Sequence, residues 1–110
     1  MGESMRFLVE FASAGLPAWW LVDDGGRVIA WSGTTFGSLA IADQAAHSFR
    51  VEPDGREYRM HSGGGDTWRW TAWDGTGERV AVSGRWFGSE AEARHSALGV
   101  DDLAGAAIGP

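Results

Sequence analysis

Three histidines are the side chains of this chain best suited to acid–base or metal chemistry. Imidazole exchanges a proton near neutral pH and binds metals through a neutral ring nitrogen. His47, His61 and His95 are well separated, and none has a second ligand at the spacing that a metal-binding motif requires. We therefore expect ordinary surface or strand histidines, and the sequence indicates no catalytic residue, no metal and no cofactor.

Serines and aspartates beside glycines are the next candidates. Ser32 and Ser83 each precede a glycine, but neither lies in the Gly-x-Ser-x-Gly turn of a hydrolase nucleophile. We expect both to shape a strand end by hydrogen bonding. Asp23 and Asp74 could form a carboxylate pair across a pseudo-two-fold axis, but they open the tetrapeptides DDGG and DGTG, which are typical of hairpin turns. A turn role is therefore the favoured interpretation.

Several classes of chemistry are excluded by composition. The run Gly63–Gly65 lacks the Gly-Lys-Ser/Thr ending of a phosphate loop, so we expect a flexible hairpin loop there. The chain has no cysteine and no lysine, which removes thiolate, disulfide and Schiff-base chemistry. A net charge of −6 and a pI near 4.8 oppose binding to nucleic acid or to an anionic membrane.

Tryptophans and arginines form the remaining group with binding chemistry. Side chains alternate along a strand, so Trp20 is expected on the face opposite Trp19. In the same way, Trp73 is expected on the face opposite Trp70. Rings on that second face need a cover, which would be a curled sheet, a partner or a ligand stacked on the indoles. The candidate ligand-binding residues are Trp20, Trp73, Trp86, Arg69 and Arg85.

A seven-residue pattern occurs twice, as SGTTFGS from Ser32 to Ser38 and as SGRWFGS from Ser83 to Ser89. A shift of 51 residues aligns the two copies, and the alignment extends without a gap on both sides. It also pairs Trp19 with Trp70, Asp23 with Asp74, Ala30 with Ala81, and Ala46 with Ala97. Similarity at a fixed period is the signature of an internal repeat. The sequence therefore predicts one unit present twice.

Each unit is predicted to contain three strands and a helix with a serine cap. The predicted strands are 6–11, 18–22 and 27–32 in the first unit and 57–61, 67–73 and 79–83 in the second. The predicted helices are 39–49 and 90–98, and Gly99 is a predicted helix stop. Alanines on the helices are expected to face the sheet, where tryptophan side chains fill the core. These alanines are Ala40, Ala45, Ala46, Ala91 and Ala97.

The predicted fold class is α+β, with two β-β-β-α repeats that share one antiparallel, curled sheet packed against the helices. A single domain over 1–110 would contain the repeats, about 6–50 and 57–99, joined by a linker at 52–56. One unit alone would be marginally stable, because a small chain buries too little surface. No stretch approaches membrane-spanning length and the first residues lack a signal-peptide core, so we expect a cytoplasmic protein.

The segment TWRWTAWDGTGERVAVSGRWFGSEAEA, from Thr67 to Ala93, resembles the YegP-like family of small bacterial and archaeal proteins of uncharacterised function. The first copy, PAWWLVDDGGRVIAWSGTTFGSLAIA, shows the same order of features. The resemblance implies a three-strand-plus-helix unit that occurs in tandem or in dimers and completes one antiparallel sheet. It implies no catalytic or binding residue. Thr34, Arg85 and Trp86 depart from the family pattern after Ser-Gly.

Three functions are compatible with these residues. The favoured hypothesis is a non-catalytic interaction module that binds another protein or its own copy through a sheet edge or the Trp20 and Trp73 face. The alternative is a binder of a small ligand or glycan that uses exposed tryptophan and arginine. An enzyme is the least favoured, because its acid–base groups would have to come from scattered histidines or carboxylates.

Overall fold

The computed structural model describes residues 5–12, 15–52 and 55–109. The first three strands and the first helix are β1 (Arg6–Phe11), β2 (Pro17–Val22), β3 (Val28–Trp31) and α1 (Leu39–Val51). They are followed by β4 (Glu57–Ser62), β5 (Trp68–Trp73), β6 (Arg79–Ser83), α2 (Glu90–Leu103) and a 3₁₀ turn at Ala104–Ala106. The fold is therefore α+β, with two helices and six strands, as the sequence predicted at this level.

The six strands form one antiparallel sheet in the order β1-β2-β3-β6-β5-β4. The sheet is open, since the outer strands β1 and β4 do not pair with each other in the described ranges. The centre of the sheet is the pair β3 and β6, joined at Ala30 with Ser83 and at Trp31 with Val82. Each half of the chain thus contributes three neighbouring strands to one continuous sheet.

The predicted turn role of the two aspartates is confirmed. Oδ1 of Asp23 and Oδ1 of Asp74 each accept hydrogen bonds from the backbone amides two and four residues further along, at 2.9 and 3.0 Å in both turns. Gly26 and Gly77 close these turns with φ of +80° and +87°, a conformation that glycine adopts without steric cost. Each carboxylate is therefore used by its own turn.

The two serines at the strand ends also have the structural role predicted for them. The Ser32 hydroxyl donates to a backbone carbonyl two residues further along at 2.7 Å and accepts from the amide of Trp19 at 3.3 Å. Ser83 makes the same two bonds, at 3.0 Å and with the amide of Trp70 at 3.3 Å. Both serines are buried, so these bonds satisfy polar groups that water does not reach.

Both helices pack on the sheet face that carries Trp19 and Trp70, which are 1% and 0% exposed. Trp19 contacts Phe49 of α1 with ring centroids 5.0 Å apart. On the other side, the indole N–H of Trp70 donates to Ser96 of α2 at 3.0 Å. Small buried residues on the helices allow this close approach, and they are Ala42 and Ala46 on α1 and Ala93 and Ala97 on α2.

The helix predictions need two corrections. First, Gly99 does not stop α2, which continues to Leu103. Val100 and Ala104, both 1% exposed, extend the buried face beyond the glycine, so packing outweighs its poor helix propensity. Second, the exposed alanines at positions 40 and 91 do not face the sheet. Ala42 and Ala93, two residues later in each helix, are buried instead, whereas the predicted positions of Ala46 and Ala97 are confirmed.

The predicted linker lies between α1 and β4, and its positions 53 and 54 fall outside the described residues. Glu52 follows α1 as its C-cap, and its backbone N–H donates to the Ser48 carbonyl. Among the residues that the structure describes, no helix combines the length and apolar character needed to cross a membrane.

Candidate functional site

In the described part of the chain, both helices pack on one face of the sheet, which leaves the opposite face without a helix. We call this second face the open face. Directly paired residues form a row across it through all six strands. The row contains Leu8, Trp20, Trp31, Val82, Thr71 and Arg59. One half of the row is apolar and aromatic, and the other half ends in a cation.

Trp20 and Trp31 form the aromatic part of the row. They are direct cross-strand partners, and their rings stack with centroids 6.4 Å apart and planes inclined by 13°. Both indoles are only partly buried. Trp20 was a predicted site residue, whereas Trp31 was missed. Val22 pairs with Val28 and Leu21 pairs with Ala30, so Ile29 is an extra residue that forms a bulge in the strand. This bulge brings Trp31 opposite Trp20.

Trp73 lies on the same face, as predicted, within a polar network. Its indole N–H donates to Oγ1 of Thr71 at 2.8 Å, and Nε2 of His61 is 2.7 Å from the same oxygen. Because the Thr71 hydroxyl accepts a hydrogen bond from Trp73, its own proton is available to donate a hydrogen bond to neutral His61. The guanidinium of Arg59 covers the Trp73 ring at 4.2 Å from its centroid. This network connects β4 and β5 on the open face.

The electrostatics around His61 are positive. Arg69 is its direct partner across the β4–β5 pair, and Arg59 is two residues away on the same strand face. Burial and then the charges of Arg69 and Arg59 lower the pKa of His61 from its ordinary value of 6.5. Arg59 has an ion-pair partner in Glu57 at 3.1 Å. His61 is therefore favoured in its neutral form.

Trp86 and Arg69 lie near the hairpin loop that connects β4 and β5. Trp86 is 50% exposed, and the guanidinium of Arg69 is 5.3 Å from its ring centroid. A Cβ at Gly63 would lie 2.5 Å from Cζ3 of Trp86. The first glycine of the predicted loop thus provides the space in which the indole packs, a role that the sequence pattern did not predict.

Arg85 lies apart from the other predicted site residues. Its guanidinium covers Phe87 at 4.2 Å from the ring centroid, and it lines a cleft beside α2. The five predicted residues are therefore not one site. Trp20, Trp73 and Arg69 share the open face. Trp86 contacts Arg69 near a hairpin loop, and Arg85 belongs to the helix side.

Two clefts were missed by sequence reasoning. One, of about 530 Å³, lies between the turn at Asp23 and the start of α2, where His95 contributes to its lining. The other, of about 670 Å³, lies between the turn at Asp74 and α1, near Phe36. Both have the volume of a small-ligand site. Each joins a turn from one half to the helix of the other half, so the arrangement of the halves creates both clefts.

The histidines lie on three separate elements, His47 on α1, His61 on β4 and His95 on α2. Within the ranges that the structure describes, no group of three histidine, aspartate or glutamate side chains is arranged to hold a metal ion. The contacts on the open face are ring stacking, a cation–π contact and hydrogen bonds.

No protein-family model and no curated protein matches the chain. Two solved structures do match. The solution NMR structure of a UPF0339 protein from Shewanella oneidensis has a TM-score of 0.74 and 14% identity, and the match covers 93% of this chain and 86% of that one. The NMR structure of yegP from E. coli, a protein of unknown function, has a TM-score of 0.71 and 14% identity, with 94% and 89% covered. The chain therefore has the fold of the YegP-like proteins, which its sequence resemblance indicated.

Proposed function

We propose that the protein is a non-catalytic interaction module that binds another protein, or its own copy, through the open face of its sheet. The observation that carries this proposal is the stacked pair Trp20 and Trp31, which is only partly buried at the centre of a face without a helix. Tryptophan is enriched among the residues that dominate binding energy at interfaces. A partner that covers these rings would gain apolar burial on rigid side chains.

The open face is a better candidate than the β1 edge of the sheet. That edge is partly occupied, because Ile108 forms a parallel bridge with Arg6. The amide of Phe7 donates to the Ile108 carbonyl at 2.8 Å, and the amide of Ile108 donates to the Met5 carbonyl at 2.9 Å. Edge pairing by a partner strand would have to displace these bonds. Binding on the open face displaces none of them.

We also infer that the two halves are copies of one β-β-β-α unit. Residues 51 positions apart make equivalent hydrogen bonds, which supports this inference. Asp23 and Asp74 bond the backbone of their turns, and Ser32 and Ser83 bond the backbone at their strand ends. Both halves also have a bulge at the corresponding place, at Ile29 and at Val80. The correspondence supplies substitutions that the fold accommodates, because each position has a counterpart in the other half.

A variant with Trp20→Thr and Trp31→Val tests the proposal, since Thr71 and Val82 occupy the counterpart positions. The control is Ile41→Glu on α1, which removes an exposed apolar residue, 52% exposed, in favour of its counterpart residue type at Glu92. Sedimentation equilibrium of each purified protein measures self-association. The same proteins are used as baits in lysate of the source cells, and mass spectrometry compares what each retains.

We expect the wild type and Ile41→Glu to self-associate or to retain the same partner, and the double variant to lose that interaction while it remains folded by circular dichroism. If the double variant behaves as the wild type in both assays, or if Ile41→Glu is the variant that loses binding, the open face is not the interaction surface.

Binding of a small ligand is the second candidate. It is favoured by the cations placed over indole rings on the β4 and β5 side of the open face, Arg59 over Trp73 and Arg69 near Trp86. Aromatic rings of this kind also stack on sugars and on planar ligands. Fluorescence titration with a glycan and a planar-ligand panel separates these classes, and an unchanged Trp signal throughout would remove the candidate.

A further inference from the structure

Positive charge is concentrated on one half of the open face. Arg59 and His61 occupy alternate positions of β4 on this face, and Arg69 is directly opposite His61 on β5. Arg59 is directly opposite Thr71, two residues beyond Arg69, so the two arginines are diagonal neighbours on this face and their like charges repel each other. In a chain of net charge −6, this grouping is therefore not a result of general basicity. Glu57 is exposed and pairs with Arg59. Arg69 has no acidic partner among the described residues.

The fold itself does not require these basic side chains. The residues 51 positions earlier are Leu8 in place of Arg59, Glu10 in place of His61, and Ala18 in place of Arg69. They occupy the same register in the β1 and β2 pair, where Glu10 is directly opposite Ala18. The same type of strand pair thus forms without any of the three basic side chains. Their presence in the second half needs a reason other than sheet formation.

Two indoles adjoin the cations and are held in place. Trp73 is fixed by its hydrogen bond to Thr71 and lies under the Arg59 guanidinium. Trp86 packs into the space above Gly63, where even a methyl group would collide with the ring. Neither aromatic residue has an aromatic counterpart in the first half, where Val22 and Thr35 stand. The indoles and the cations therefore occur together in one half and are absent together from the other.

We propose that this basic aromatic patch, defined by Arg59, His61, Arg69, Trp73 and Trp86, binds a small anion that carries a planar ring, such as an aryl phosphate or aryl carboxylate. The anionic group lies between the cations, where it relieves their mutual repulsion and accepts charge-assisted hydrogen bonds. The ring stacks on an indole. The inference rests on the second candidate under the proposed function, small-ligand binding, because it assigns a ligand class to the arginines and indoles that favour that candidate.

The test uses the full chain labelled with ¹⁵N and four probes, which are phenyl phosphate, benzoate, phenol and inorganic phosphate. NMR titration follows the indole N–H signals of Trp73 and Trp86 and the ring signals of His61. Arg69→Ala and Arg59→Leu introduce the residue types of the first half. Arg94→Ala on α2 is the matched control, because it removes the same charge from the other side of the molecule, where Arg94 pairs with Glu90 at 2.8 Å.

We expect phenyl phosphate to shift all three sets of signals, with binding about tenfold weaker in Arg69→Ala and in Arg59→Leu, as for loss of one charged hydrogen bond. Arg94→Ala should bind as the wild type does, and phenol and phosphate should each bind more weakly than phenyl phosphate. Binding of benzoate as well extends the class to carboxylates, whereas its absence restricts the class to phosphates.

Three results would overturn the proposal. First, the indole signals of Trp73 and Trp86 do not shift with phenyl phosphate or with benzoate. Second, Arg94→Ala weakens phenyl phosphate binding as much as Arg69→Ala does. Third, inorganic phosphate binds with the same affinity as phenyl phosphate. The proposed interaction function fails separately, because it is tested through Trp20 and Trp31, which none of the arginine variants changes. A patch that binds no anion thus leaves partner binding by the stacked pair to be judged on its own data.

Discussion

Trp31 stacks on Trp20 across the β2 and β3 pair, with the two ring planes only 13° from parallel. The contact depends on the bulge at Ile29, which places Trp31 in register with Trp20. Bulges in a hairpin redirect the side chains that follow them. The stacked pair is therefore built into the sheet, and its two rings form a rigid surface at the centre of the open face.

The stacking energy of this pair is measurable by a double-mutant cycle. Trp20→Thr, Trp31→Val and the double variant should show a favourable coupling of about 0.5–1.5 kcal/mol in the free energy of unfolding, the usual contribution of an aromatic pair. Urea denaturation of the four proteins gives this value. Strict additivity of the two single changes would mean that the rings do not interact in solution.

A methyl group at Gly84 should be poorly tolerated. Its Cβ would lie 2.1 Å from the backbone oxygen of Val28, so the two central strands β3 and β6 would have to separate. We expect Gly84→Ala to lower the free energy of unfolding by about 3 kcal/mol or more, as overpacking of a rigid site does.

The matched change is Gly99→Ala, where nothing lies within 4 Å of the added Cβ outside the helix backbone. Because Gly99 lies inside α2, alanine should stabilise the protein by about 0.5–1 kcal/mol. Thermal denaturation of both variants checks the pair. Equal effects from the two substitutions would contradict the close approach described at Gly84.

Ser89 should contribute to the stability of α2 through its cap. Its hydroxyl accepts a hydrogen bond from the Glu92 amide at 3.1 Å, so Ser89→Ala should lower the free energy of unfolding by about 1 kcal/mol. Ser89→Asp, which preserves an acceptor, should retain most of the wild-type stability. Chemical denaturation compares the three proteins, and an alanine variant as stable as the wild type would exclude a contribution from the cap.

The pKa of His61 should lie below 6.5, because burial and two arginines disfavour its charged form. As the pH falls through 6.5, His61 of the unfolded chain is protonated before His61 of the folded protein. The folded state therefore loses stability between pH 6.5 and the lower pKa that His61 has in the folded protein. An NMR titration of the ring measures the pKa directly. Arg69→Ala should raise it, since one of its causes is removed, and an unchanged value would mean that Arg69 does not act on His61.

The sequence predicted those features of the fold that local chemistry determines. The aspartate turns, the serine caps and the strands need only hydrogen bonds and alternation within a short segment, as at Asp23 and Ser38. The end of α2 could not be predicted in this way. It depends on Val100 and Ala104 reaching the core from beyond Gly99.

The site was predictable only in part, for a related reason. Alternation placed Trp20 and Trp73 correctly on the face opposite the helices. The position of Trp31 depends on a bulge, and the position of Trp86 depends on the space above Gly63, so neither follows from spacing. Arg85 was predicted together with the other candidate residues, but its guanidinium covers Phe87 beside a cleft on the helix side.

The most direct test of the open face as the interaction surface is NMR mapping of amide and indole signals in the full chain. Spectra are recorded over increasing protein concentration and with any partner that the wild-type bait retains. We predict shifts at Leu8, Trp20 and Trp31, which are only partly buried on this face, with the buried Trp19 and Trp70 indoles unaffected. Shifts confined to the exposed surfaces of α1 and α2, with the open-face signals unchanged, would contradict it.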